Sequence, residues 1–276
     1  MNLYSSTIGL RPVFHLRDTV QVTGGTGAED DPYVLYAEPL PEASESESQV
    51  VNYADVDGNG TVDGIIYADL AVGGSGQWGN GDGTYTIPKG SNFKKYEVMQ
   101  ESYSGNFGTG QVIAPVSSSS GEKRFYVMAL SDVDANSHCW YHSASGDMND
   151  YATTTSTAFG QGEQNTINMI TKWNNSEYGP QNGYSKYIDM WGVSAVNSRT
   201  WNGTNEWYVP SKDEWSAFAN ALGVTKSNYV SKGLAYCYWT SSQGTNSIVW
   251  IAHFEVGYMN RDVVTSTHLV RLGTTF

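Results

Sequence analysis

Within nine residues, Asp55, Asp57, Asn59, Thr61 and Asp63 place oxygen donors at every second position, with Gly60 between them. Alternate side chains of a tight loop converge on one point, the Thr61 carbonyl can join them, and glycine permits the turn. That is the construction of an oxygen-ligand Ca²⁺ loop. The acidic ligand that closes a complete EF-hand loop is missing, because Ile66 stands in its place. Two readings stay open: a calcium loop, or a solvated Asp/Gly turn ahead of the strand-like GIIYADL (64–70).

Softer donors are sparse. Of the five histidines, His15, His138, His142, His253 and His268, only His138 and His142 have a metal-like spacing, with Cys139 beside them. No fourth zinc ligand is evident, and a structural zinc site needs four. Cys139 and Cys237 are the only cysteines. Two are too few for a disulfide framework, and separate buried thiols are preferred to a single bridge. No nucleophile elbow, phosphate loop or dinucleotide fingerprint is present.

The elements that would position these groups are mostly strands and loops. LRPVFHL (10–16), TVQVTG (19–24) and YVLY (33–36) read as a short β unit with a turn at GGTGAEDDP. EPLPEASESESQ (38–49) is acidic and poor in large apolar groups, so a flexible linker is expected there. The expected organisation is a β segment over 1–37, a linker over 38–50 and one domain over 51–276. KKYEVM (94–99) and RFYVMAL (124–130) are strand candidates around the loop SSSSGEK. NTINMITKW (165–173) places Ile167, Ile170 and Trp173 on one face of a short helix. The clearest helix is 211–222. Ser211 and Glu214 form a capping box after Pro210, Trp215, Phe218 and Leu222 share a face, and Gly223 stops it.

Near the C-terminus, alternation puts Trp250, Ala252 and Phe254 on one face and Ile251, His253 and Glu255 on the other. Met259 and Val263 read as inward, and Tyr258, Asn260, Arg261 and Asp262 as outward. Val270 and Leu272 lie in a final strand.

Composition agrees with an irregular, loop-rich, strand-containing fold: 276 residues include 30 glycines, 19 tyrosines and 9 tryptophans. The net charge of −13 argues against nonspecific nucleic-acid binding, which needs clustered cations. No apolar run reaches the length of a membrane span, so no membrane insertion of this chain is expected. Met1–Tyr4 lack the basic and apolar regions of a secretory leader, which suggests a trimmed start or another export route.

WYVPSKDEWSAF (207–218), YWTSSQ (238–243), a strand carrying Trp250, and LVRLGTTF (269–276) resemble the C-type-lectin-like domains related to formylglycine-generating enzyme. Within that group they look most like variable proteins of diversity-generating retroelements from gut bacteria and their phages. FGQGEQNT (159–166) and MITKWNNSEYG (169–179) support the same resemblance, which covers about 95–276. Residues 9–35 also resemble a segment that ends similar domains in Gram-positive surface proteins, which suggests a longer parent.

The resemblance implies an α+β, C-type-lectin-like fold with small antiparallel sheets, two helices and long loops, preceded here by the short β segment. N- and C-terminal strands would pair. It also implies a constant scaffold, including Tyr238, Trp239, Trp250, Ala252, Phe254 and Met259, between exchangeable positions. Carried over, the ligand-binding positions are Thr245, Ser247, Ile248, His253, Val256, Tyr258, Asn260, Arg261, Asp262, Val264, Thr265, Ser266, Thr267 and His268. Glu255 fits adenine-directed variation poorly, and Ile251 is left unassigned. Tyr238, Trp239 and Trp250 would be core rather than sugar-stacking platforms, whereas Tyr258 would anchor a ligand with large area and few rotors.

The sugar-chelating Glu-Pro-Asn and Gln-Pro-Asp segments of calcium-dependent lectins are absent, and so is the paired-cysteine copper site of formylglycine-generating chemistry. The expectation is therefore a non-enzymatic, diversified receptor-recognition protein. It would act outside the cell, on a cell surface or phage virion, with a protein or glycan on a cell surface as partner and calcium as the one optional cofactor. A non-diversified surface adhesin or pilus-tip protein of the same fold ranks second, and a formylglycine-generating-type enzyme last.

Overall fold

A computed structural model of the chain describes residues 20–37, 39–141, 147–175 and 189–276. The chain divides into two compact units, Met1–Pro41 and Glu42–Phe276. In the first, β1 (Val20–Gly24) and β2 (Val34–Ala37) form an antiparallel hairpin that pairs Val20 with Ala37. Its turn is held by Asp31, whose carboxylate and carbonyl both accept the Thr26 amide. LRPVFHL lies outside the described residues.

The second unit carries β3 (Tyr53–Ala54), β4 (Gly64–Asp69), β5 (Gly74–Gln77), β6 (Thr84–Ile87), β7 (Tyr96–Gly105), β8 (Gly108–Pro115), β9 (Phe125–Ala129) and β10 (His138–Cys139). The helices α1 (Tyr151–Thr154), α2 (Gly162–Asn174), α3 (Ser194–Asn197) and α4 (Lys212–Ala221) follow. The chain then returns to strands: β11 (Cys237–Gln243), β12 (Ile248–His253), β13 (Tyr258–Val263), β14 (Thr267–His268) and β15 (Gly273–Thr275). The result is a mixed α+β architecture. A six-stranded sheet has the order β15-β9-β4-β3-β8-β7, a three-stranded sheet the order β11-β12-β13, and β5-β6 and β10-β14 are two-stranded ribbons.

All six residues of β4 are buried, which suits a strand covered on both faces, and it lies between β3 and β9. The last strand, β15, pairs with β9, and β9 and β4 together separate it from β3, the first strand of the unit. This corrects the expected pairing of N- and C-terminal strands. The C-terminus is nonetheless held firmly: the Phe276 carbonyl accepts the Arg124 and Phe125 amides, and its ring packs edge-on against Tyr96 at 5.4 Å.

Helix α4 starts where the capping box places it, with Ser211 accepting from the Glu214 amide and Glu214 reaching back to Ser211. Trp215, Phe218 and Leu222 are buried, and Gly223 adopts φ +58°, a left-handed stop that suits glycine. Helix α2 is longer than expected, and of the three residues expected on its inward face Ile170 and Trp173 are buried and Ile167 is not. Gly162, Thr166, Met169, Ile170 and Trp173 face inward, while Ile167 is exposed.

The acidic segment is also not a flexible linker along its length. Ala43 and Gln49 are buried, and the carbonyls of Ser44 and Glu47 accept from the Arg124 guanidinium. Arg124 is itself buried against Asp69, with contacts of 2.8 Å at Nε and Nη2. A buried guanidinium needs acceptors for all its donors, and a segment without bulky side chains can wrap close enough to provide them.

Candidate recognition surface

The three-stranded sheet is covered on both faces. Trp239 and Ile251 are directly paired and pack, with Cys237 and Val249, into one apolar cluster. Tyr238, Ala252 and Met259 occupy the opposite face and belong to a second cluster. Residues opposite one another in a ladder project to the same side, so β11 and β12 each feed two cores. Every residue of β11 is buried.

Its polar side chains are answered in place. Asn165 donates to Ser241 Oγ at 3.1 Å, Ser242 Oγ donates to the Ser156 carbonyl at 2.7 Å, and Thr240 Oγ1 donates to the Trp250 carbonyl at 2.8 Å. Trp239 Nε1 donates to the His138 carbonyl at 2.6 Å. The Tyr238 ring stacks on Trp215 at 5.0 Å, and the guanidinium of Arg271, paired with Asp132 at 2.6 Å, lies 5.4 Å from the centre of the same Tyr238 ring. These contacts make β11 a fixed platform and bury Tyr238, Trp239 and Trp250 as core residues.

Beyond β12 the character changes. Among the described residues, strand β13 pairs with β12 alone and is the sheet's edge. Val256, Asn260, Arg261, Thr265 and Thr267 are exposed. Thr245, Ser247, Ile248, His253, Tyr258, Asp262 and Ser266 are half-buried and border them. Arg261 lies 4.0 Å over the Trp250 ring and 3.8 Å from Asp82, while Lys212 donates to the Asp82 carbonyl at 2.6 Å. The loop around Asp82 thus flanks the edge strand, as does Gly79, where a Cβ would meet Tyr258 at 2.4 Å. Sequence alternation could not have found Asp82, which lies about 180 residues from Arg261 along the chain. Tyr236, exposed and edge-on to His253 at 6.2 Å, was missed because it precedes the first regular position of β11.

Two of the carried-over positions are corrected. Val264 is buried because the chain leaves the ladder at Val263. Its amide donates to the Ser247 carbonyl, and its own carbonyl accepts from Trp140, which pulls the side chain into the core. His268 is buried in β14, opposite His138, with its ring 4.5 Å from Trp239 and Nε2 2.9 Å from Asp262. Burial pushes the His268 pKa down despite the Asp262 carboxylate. Burial opposes ionisation of Asp262, but hydrogen bonds from Ser266, the Val263 amide and His268 hold it below the usual carboxylate range.

The alternation also reverses at Val263, which is 43 % exposed, and Ile251, which is 2 % exposed. A single wet face does not exist on β12 because the second core covers it.

The acidic loop comes together as its spacing suggests. One carboxylate oxygen from each of Asp55, Asp57 and Asp63 lies within 4.8 Å of the others. Asn59 donates to Asp57 at 3.0 Å and accepts from the Thr61 amide at 2.7 Å. The histidine–cysteine pair does not form an evident zinc set. His138 bonds Asp134 at 3.0 Å, Cys139 donates to Asp189 at 3.0 Å, and His142 lies outside the described residues. Both thiols are buried, and burial pushes their pKa values up, with nearby carboxylates adding to it. That suppresses the thiolate.

No family model matches the chain. No curated protein matches it either. Among solved structures, the chain is similar to a fimbrial protein from Bacteroides ovatus ATCC 8483, at 16% identity and a TM-score of 0.36. The similarity covers 55% of this chain and 36% of that one, so the chain spans about a third of the fimbrial protein's length. A likeness of this extent implies nothing about function. Among the described residues, no helix is long and apolar enough to cross a membrane.

Proposed function

We propose that the chain is a noncatalytic recognition module, displayed on a cell surface or virion, that binds a protein or glycan of another surface through β13 and its flanking loops. The observation that carries this reading is the contrast within one sheet: an edge strand of mixed, exposed chemistry on a platform buried on both faces. Such a platform holds side chains at fixed backbone positions, which lowers the ordering cost of binding. The same property lets side chains change without refolding the domain, which is what a C-type-lectin-like variable protein of a diversity-generating retroelement requires. The buried, high-pKa thiols favour binding over formylglycine-generating chemistry.

A second reading has its own support. Val264 and His268, both carried over as exchangeable, are buried, so not every position in that set tolerates free exchange. That favours a non-diversified adhesin of the same architecture. A near-identical template repeat with a reverse transcriptase beside the gene would decide for diversification; its absence would decide for the adhesin.

The binding reading is tested with the combined Val256→Ala, Asn260→Ala and Arg261→Ala variant against gut bacterial surfaces that capture the wild-type chain. Loss of binding by at least tenfold, with a melting temperature within about 2 °C of wild type, is expected, since exposed substitutions usually change stability by no more than about 0.5 kcal/mol. Undiminished binding would remove β13 from the interface.

A further inference from the structure

We propose that the Asp55–Asp63 turn is a binding site for one calcium ion, and that the ion ties β3 to β4 at the centre of the six-stranded sheet. Asp55 directly follows β3 and Asp63 directly precedes β4, with the Asp63 amide donating to the Ala54 carbonyl at 2.8 Å. The turn therefore closes two inner strands rather than an appended loop.

Three carboxylates share the site, with one oxygen from each within 4.8 Å of the others, and two of the residues, Asp55 and Asp63, are almost wholly shielded from water. Among the described residues, no lysine or arginine pairs with any of them.

A separate observation points to the missing positive charge. Asp63 is 1 % exposed, and its Oδ2 accepts the Val56 amide at 2.9 Å, yet Oδ1 is buried with no hydrogen-bond partner. Asn202 comes near enough to favour the ionised carboxyl, but forms no bond of normal geometry to that oxygen. A buried acceptor left unmatched is costly and uncommon. A cation in the turn would supply what no donor among the described residues does. Burial, aided by Asp57 and Asp55, pushes the Asp63 carboxyl up to about 6, as expected where anions crowd without a counter-charge.

The donor chemistry selects the ion. The side chains the turn brings together offer oxygen alone, one carboxylate from each of Asp55, Asp57 and Asp63. An all-oxygen set suits hard cations, and an incomplete, irregular one suits calcium better than magnesium, which demands near-octahedral geometry. Gly58 and Gly60 sit at φ +72° and +89°, the left-handed conformations that let so short a turn fold back.

The test is calorimetric titration of the chelator-treated full chain with calcium chloride at pH 7.5, with thermal melts at about 5 mM calcium. One site per chain is expected, with an affinity in the range of about 10⁻⁴–10⁻³ M found for extracellular modules, and a raised melting temperature. Asp57→Asn, at an exposed position, should keep the wild-type fold and weaken binding at least tenfold. Asp63→Asn should melt higher than the metal-free wild type, because the unmatched charge is gone, and should show no calcium-dependent rise. Absence of heat and of a melting shift up to about 10 mM calcium would overturn the site. An equal shift in Asp57→Asn would do the same, and equal affinity for magnesium would overturn the assignment to calcium.

Discussion

Strands β11 and β13 belong to one sheet, separated only by β12, and they meet opposite demands. All seven residues of β11 are buried, including Thr240, Ser241, Ser242 and Gln243, and the hydroxyls are bonded to α2, to Ser156 or to the neighbouring strand. Of the six residues of β13, only Met259 is buried. The difference is not one of composition, since both strands are rich in polar groups. It lies in how many neighbours each polar group has. A side chain that is both buried and bonded cannot change without leaving a partner unmatched, whereas one at a sheet edge leaves only water.

The sharpest way to break this contrast is Trp239→Ala. Trp239 fills the second core and bonds the His138 carbonyl, so its removal should destabilise by about 3–5 kcal/mol, read from chemical denaturation. A loss below about 1 kcal/mol would mean the platform is not rigid.

Neighbouring residues give a finer comparison. Val264→Asn places an amide in the core and should cost about 1–3 kcal/mol, while Thr265→Asn, one residue on and exposed, should stay within about 0.5 kcal/mol. Equal effects would erase the distinction between buried and exchangeable positions.

The smallest effect concerns pH, and it separates the interior from the edge by sign. Glu214, fully buried, is pushed up to about 7 mainly by burial. An acid whose folded pKa is raised adds stability that is present below its unfolded value and lost as pH rises through the folded one. Asp262 at the edge is lowered, so its contribution is present above the ordinary carboxylate value and lost as pH falls through the folded one. The melting temperature of the calcium-free chain should therefore rise by a few °C, at about 2–4 °C per kcal/mol, between pH 8 and pH 5.5. Glu214→Gln, which keeps the capping geometry, should remove the part centred near pH 7 and leave the part due to Asp63 near pH 6. A profile unchanged by that substitution would show that Glu214 stays ionised in the folded chain across this range, as it is when unfolded, and that burial does not raise its pKa.

Local features were legible from residue order because their causes are local. The Ser211–Glu214 box, the Gly223 stop and the Asp55–Asp63 turn each depend on residues a few positions apart. Strands β4 and β9 were legible as apolar runs. The outward positions of the C-terminal sheet were only half legible. Alternation says which side chains share a face but not whether something covers it, and here a second core, built partly from Trp140, Trp191 and Trp207, covers the face that carries Ile251. Likewise, nothing in the acidic stretch at 42–50 signals that its carbonyls answer Arg124, some eighty residues away.

Sequence alone thus determined where turns and helix ends fall and which donors gather in the acidic loop, since backbone sterics and short-range hydrogen bonds act over a few residues. Only the tertiary structure decided which polar side chains of β11 to β14 meet water. Burial is set by distant segments, and a residue such as Val264 or His268 carries no mark of the tryptophans that close over it.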